Sequence, residues 1–407
     1  MNYRLKIIKG LGWLSLLRIT TQIVAFAKLG VISRILSPND FGLFAIVTTT
    51  LTTYETLSET GLNYAVIHMQ SNIKQVARSI LLVNIGRGII LSIIILISGT
   101  FIARFFNNKS LFNFLIAASI IPLARGFINP YIINFQKNLS FNKEFIYRFI
   151  PAFANTLFTV AFVIVMKSTW ALIIGLIAST IIEVFVSYII TERNLSYPIN
   201  KKYLLKLFSY GKWITTGGLL SYLSTQIDNI FIGKFLGPAN LGLYDFAFRL
   251  ANISFTEITN TVSQVMFPLY SKKQKRKDSL LSVFKKNVIS MFVPATLLAI
   301  PLIFFPKEIL TFLFGIRWAG GSEVLRILSI YGLLRATIGP LGPLFLSVGK
   351  PDILTKVNIL NFLIILVLLY PLLRLYGIIG VALAMTISYI IVLPVYIFYT
   401  VKLFKIK

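Results

Sequence analysis

The chain has 407 residues, of which 56% are hydrophobic and only 13% charged, with a mean hydropathy of +0.81. Ordinary soluble domains carry about 25% charged residues, so this composition excludes the soluble enzyme and binding-domain classes. A net charge of +27 would point a soluble protein towards nucleic acid, but here the basic residues gather in short segments between apolar runs, and no nucleic-acid partner is expected.

Runs long enough to cross a hydrocarbon core of about 30 Å recur along the chain. They lie near residues 11–33, 41–67, 79–103, 111–134, 149–166, 170–190, 213–233, 241–270, 288–306, 323–347, 357–375 and 377–401. Backbone groups find no water inside lipid, so each run is expected to be helical, giving an all-α polytopic membrane protein of about twelve spans. The first run continues past Arg18 and Lys28 with no small-residue cleavage site, so it reads as a retained span and not as a cleaved leader. Its Ser15, Arg18 and Gln22 share one face. The second span is polar, with Thr52, Glu55 and Glu59 on one stripe; the third carries Arg87 and the fourth Arg125. After six spans comes the basic-aromatic stretch "NKKYLLKLFSYGKW" (200–213), and "SKKQKRKDSLLSVFKKN" follows at 271–287. Both are expected to lie as helices on an anionic membrane surface. The seventh span offers Asp228; the eighth offers Arg249, Asn252 and Glu257; the tenth offers Arg326 and Arg335.

The bases are distributed unevenly. With the N-terminus inside, cytoplasmic segments hold 25 of the 40 Lys and Arg and external loops hold eight, so both termini are expected in the cytoplasm.

Two stretches repeat. "VISRILSPNDFGLF" begins at Val31 and "FIGKFLGPANLGLY" at Phe231, and "LARGFINP" at Leu123 matches "LLRATIGP" at Leu333. The order of these pairs predicts two parallel six-span halves, 1–195 and 213–407, joined by an interfacial linker at 196–212. Proline in the first motif stops one helix or starts the next, and glycine is read as permitting a tight turn and close packing.

Seven bases fall within spans: Arg18, Lys28, Arg87, Arg125, Arg249, Arg326 and Arg335. Each costs about 2.5–3.5 kcal/mol at a helix centre, unless it faces a wet cavity or a partner. Arg125 and Arg335 match across the repeat. A guanidinium grips phosphate in a fork and keeps its charge, so a cationic cleft for a phosphorylated substrate is expected. Its candidate lining is Arg18, Gln22, Arg87, Arg125, Arg249 and Arg335. Asp245 with Arg249 and Glu323 with Arg326 have the spacing of structural pairs on one helix face. Glu55, Glu59, Asp228 and Glu257 are candidates for coupling to a proton or sodium ion, or for neutralising the arginines. Cysteine is absent and His68 stands alone, so no disulfide or metal site is expected. No nucleotide-binding or hydrolase fingerprint is present, and no soluble catalytic segment fits between the spans.

"LGVISRILSPNDFGLFAIV" and "QIDNIFIGKFLGPANLGLYDFA" (226–247) resemble the bacterial O-antigen and exopolysaccharide transporters of the multidrug/oligosaccharidyl-lipid/polysaccharide export superfamily. The resemblance covers essentially the whole chain. It implies a V-shaped pair of lobes and no enzymatic activity. The activity implied is alternating-access movement of undecaprenyl-diphosphate-linked oligosaccharide across the bacterial cytoplasmic membrane. Membrane lipids and the polysaccharide polymerase machinery are the implied partners. Many relatives have fourteen spans, and the twelve here point away from a peptidoglycan-precursor role. A multidrug cation antiporter of the same superfamily, a membrane glycosyltransferase or polymerase, and an inactive scaffold remain the alternatives.

Overall fold

The computed structural model describes residues 3–404 except 60, 63–65, 67–72, 193–221, 223–224 and 275; side chains are not described at 3–9, 11, 253–254, 256–265, 267–268 and 277. The described residues form helices and turns with no strand. The chain divides into two compact units, Met1–Gln226 and Ile227–Lys407. The linker expected at 196–212 and the surface helix expected at 200–213 lie outside the described residues, as does most of the seventh span.

In unit 1, α1 (Tyr3–Ile35) is followed by α2 (Pro38–Leu57) and α3 (Ile73–Phe105). The fourth span is broken into α4 (Ser110–Ala118), α5 (Ile120–Gly126), a 3-10 turn (Pro130–Ile132) and α6 (Ile133–Lys137); α7 (Phe141–Met166) and α8 (Thr169–Ile189) complete the unit. A helix over 225–235, here α9, leads the chain into unit 2, followed by α10 (Gly237–Lys273), α11 (Lys277–Phe304) and α12 (Pro306–Phe314). A 3-10 turn (Ile316–Gly321), α13 (Ser322–Ile338), α14 (Leu341–Ser347) and α15 (Pro351–Phe404) follow. Seven described helices have the length and apolarity to cross a bilayer, or eight counting the fourth span, bent by 66° at its break. α2, at 20 residues, reaches about 30 Å at 1.5 Å per residue despite its polar stripe. α15 runs 54 residues, too many for one span, and Gly377 breaks it with φ 60° and ψ −136°, where the sequence separates its last two spans. Large aliphatic side chains stand on the outside: Val165 is 80% exposed and Ile97 74%, as expected where the solvent is lipid.

The repeated turn motif works differently from its sequence reading. Ser37 caps α2: its hydroxyl accepts from the Asp40 N–H at 3.3 Å, while the Asp40 carboxylate accepts from the Ser37 N–H at 3.1 Å. This reciprocal capping box places Pro38 in the first turn, where its missing N–H costs nothing. In the second copy Gly237 takes the place of Ser37, at φ 82°, and Pro238 again starts the helix. The turn residues are therefore Ser37 and Gly237. Gly42 and Gly242 lie buried inside α2 and α10, which suits the close packing expected of them and not the turn.

The basic stretch at 271–287 also corrects its expectation. It is no separate surface helix: α10 runs unbroken to Lys273, and α11 begins at Lys277 and continues into its span. At 37 and 28 residues these helices are about 55 and 42 Å long, more than a bilayer core needs, so their basic ends extend past it.

Candidate functional site

Two reciprocal glycine contacts set up the site in unit 1. A Cβ on Gly88 of α3 would sit 2.6 Å from the Pro122 carbonyl oxygen, and one on Gly126 of α5 would sit 2.8 Å from that of Asn84. Only glycine allows this approach. Each glycine directly follows an arginine, Arg87 or Arg125, so the helix contact brings both guanidiniums to one cavity. α5 stops at Gly126. Asn129 then stabilises the bend: its side chain accepts from the Tyr131 N–H at 3.1 Å, and its own N–H donates to Ser187 Oγ at 3.0 Å.

The cavity measures about 430 Å³ and belongs wholly to unit 1. Glu55, Glu59, Arg87 and Arg125 line it, with Thr56 and Asn84. Arg125 Nη1 donates to both Glu55 carboxylate oxygens at 2.7 Å. Its Nε lies 4.0 Å from Glu183 Oε2, and Glu183 in turn accepts from the Tyr147 hydroxyl at 3.0 Å. Arg87 donates to Ser58 Oγ at 2.9 Å and to the Glu55 carbonyl at 2.6 Å. The Arg125 and Glu55 side chains are 39% and 21% exposed, so the pair is open to the cavity and partly screened by water. Glu55 thus neutralises an arginine, one of the two roles open to it on sequence grounds.

The equivalent arginine of unit 2 has different company. Arg335 stands in the last turn of α13, which packs against α10, α11 and α15. Its Nη1 donates to Asn252 Oδ1 at 3.2 Å, and Tyr331 and Tyr389 flank it, their rings 5.0 Å apart. No carboxylate forms an ion pair with it among the described residues. Arg249 is held by Asp245 at 2.6 Å and Arg326 by Glu323 at 2.8 Å, the two helix-face pairs read from spacing. Asp228 is 1% exposed and accepts from the Tyr244 hydroxyl and the Asn229 N–H, both at 2.8 Å.

The remaining candidates scatter. Arg18 and Gln22 are half-buried on α1 and do not line the unit 1 cavity. The Glu257 side chain lies outside the described residues. Sequence reasoning passed over Glu183 and Tyr147. Glu183 was findable as a lone carboxylate in the apolar run "IASTIIEVFV", since intramembrane acids are rare enough to be functional by default. Tyr147 carried no such signal. Among the described residues no three His, Cys, Asp or Glu side chains meet as a metal site.

The fold is that of transporters of the MOP superfamily. An inward-facing MATE family multidrug resistance transporter superposes with a TM-score of 0.75 over 95% of this chain and 98% of its own, at 13% identity. The lipid II flippase MurJ, in an inward closed conformation, gives 0.77 over 95% and 87%, at 16% identity. Among curated proteins, the lipopolysaccharide biosynthesis protein WzxC of Escherichia coli is 22% identical over 88% of this chain and 73% of its own length. The teichuronic acid biosynthesis protein TuaB of Bacillus subtilis is 24% identical over 86% and 72%. The polysaccharide biosynthesis protein family model matches residues 31–323, well over half of the sequence, and the chain belongs to that family.

Proposed function

We propose that this protein moves a lipid-linked oligosaccharide, the undecaprenyl-diphosphate-bound repeat unit of an O-antigen or exopolysaccharide, across the bacterial cytoplasmic membrane. It acts as a transporter by alternating access and forms no chemical bond. Family membership supports the reading, as do the names of relatives such as the probable low-salt glycan biosynthesis flippase Agl15 of Haloferax volcanii. The observation that carries it is a hydrogen-bonding, arginine-bearing cavity inside a helical unit whose outer surface suits lipid. The bias of bases to one set of loops favours cytoplasmic termini. The flipped unit then reaches polymerising machinery on the far side.

Of the proposed headgroup ligands, Arg335 suits the diphosphate best. It is a permanent cation whose partners among the described residues are neutral, so an incoming phosphoryl oxygen gains a charge-assisted bond without displacing any of the described carboxylates. Arg125 must first give up Glu55. Asp228 is the acid best suited to bind a coupling proton or sodium ion, because its partners are a hydroxyl and an N–H and not a cation. The acids Glu55 and Glu59 favour a cation antiporter as the second reading, but Arg125 holds the first of them.

The test is reconstitution. Liposomes containing the protein and a fluorescent lipid-linked oligosaccharide in the inner leaflet are expected to expose the sugar to an external lectin. Failure to expose it, together with export of organic cations, would replace this reading with the antiporter; formation or cleavage of a sugar bond would replace it with an enzyme.

A further inference from the structure

The charges lining the unit 1 cavity cancel. Arg87 and Arg125 face Glu55 and Glu59, and Glu183 adds a third carboxylate behind Arg125. Moreover, the arginines are already engaged. Arg87 spends its Nε and Nη2 on Ser58 and the Glu55 backbone, and Arg125 Nη1 lies on both oxygens of Glu55. A diphosphate entering here would bring its negative charges against two carboxylates, and like charges at short range repel even where water partly screens them. It would also have to strip Arg125 from Glu55 and leave that carboxylate unpaired, the costly way to break such a pair.

What the cavity offers is a balanced set of donors and acceptors. Carboxylate oxygens accept, guanidinium N–H groups donate, and the Thr56 hydroxyl and Asn84 amide do both. A ring carrying several hydroxyls needs that mixture, because each hydroxyl donates once and accepts as well. Its bonds to ionised groups are charge-assisted while it adds no charge of its own.

Building on the transport of a lipid-linked glycan proposed above, we infer that the unit 1 cavity is the subsite for an uncharged sugar ring of that glycan and excludes its diphosphate. Glu59, Thr56 and Asn84 contact the hydroxyls. Arg125 acts as a positioning residue that holds the Glu55 carboxylate in place.

The chain contains no cysteine, which makes the test direct. Thr56→Cys places a single thiol in the cavity of the full-length protein in nanodiscs, and its alkylation by N-ethylmaleimide is timed. Methyl glycosides of neutral hexoses are expected to slow the alkylation; inorganic pyrophosphate and methyl glucuronide are expected not to. Adding Asn84→Leu or Glu59→Gln should weaken the protection by glycosides about tenfold, as loss of one charge-assisted or amide hydrogen bond to the ring implies. If Thr56→Cys fails to fold, Thr52→Cys reports on the same cavity. Protection by pyrophosphate equal to or stronger than that by glycosides would overturn the assignment, and so would the absence of protection by any sugar. Translocation of the lipid-linked oligosaccharide is measured in parallel, so a protein that carries its lipid but shows no sugar protection refutes the subsite and leaves the transport reading standing.

Discussion

Arg125 and Arg335 occupy matching places in the internal repeat, yet one is bound to a carboxylate and the other to an amide. Arg125 Nη1 lies 2.7 Å from both Glu55 oxygens, whereas Arg335 Nη1 lies 3.2 Å from the Asn252 side-chain oxygen with two tyrosines beside it. Both arginines close a helix, and a proline follows each within five residues, at Pro130 and Pro340. The backbone plan is thus shared, and the difference lies in what faces each guanidinium. α2 supplies a carboxylate in unit 1, and α10 supplies a neutral amide in unit 2. A repeat can therefore keep the architecture of a site in both copies while giving each copy its own electrostatics.

The comparison can be broken most forcefully at Arg335. Arg335→Gln is expected to reduce translocation about 100-fold, the loss of a charge-assisted fork to phosphate, while leaving unfolding stability unchanged or slightly raised. Arg335→Lys should recover only part of the activity, because an ammonium lacks the planar fork. Lipid-exposure kinetics and thermal unfolding of the same preparations separate the two readouts. Activity near wild type in Arg335→Gln would remove the contrast on which the headgroup assignment stands.

A smaller effect tests what positions the unit 1 site. Gly126→Val forces a side chain against the Asn84 carbonyl and should destabilise the protein by about 1–3 kcal/mol. Gly342→Ala in unit 2 has open space and should move stability by less than about 0.5 kcal/mol. Equal effects in denaturant unfolding would mean that the close approach of α3 and α5 is not needed.

The Glu55–Arg125 pair sharpens the comparison further. Glu55→Gln and Arg125→Gln each leave a charged partner stranded, at a cost of about 1–2 kcal/mol once the partial exposure of the pair is allowed for. The double variant, which leaves only the more distant Glu183 without its cation, should be more stable than the sum of the singles predicts, by a coupling of about 1 kcal/mol. Additivity would show that the pair does not neutralise itself. The smallest change expected is Lys356→Ala: its contact with Asp352 is an exposed i,i+4 pair at 3.4 Å, and unfolding should shift by less than about 0.5 kcal/mol, which sets the noise floor for the rest.

Features with a local cause could be read without coordinates. Asp245–Arg249 and Glu323–Arg326 follow from helical spacing alone, and both pairs form at 2.6 and 2.8 Å. Gly377 separates the last two spans where the apolar pattern does. Other local signals were present and read wrongly. The four residues "SPND" spell a capping box, yet the turn was assigned to Gly42, and the basic run at 271–287 was given a helix of its own although long helices need only a short turn between them.

By itself, the sequence settled the membrane class, the helical content and the pairs within one helix, because each depends on residues a few positions apart and on whether a run can meet lipid. Tertiary structure alone decided which carboxylate answers which arginine. Glu55 and Arg125 are 70 residues apart, and Asn252 and Arg335 are 83 apart. No periodicity links such positions. The glycine contacts of α3 and α5 place Arg125 in the unit 1 cavity and the packing of α10 on α13 places Arg335 beside Asn252, so the fold decides which residue faces each guanidinium.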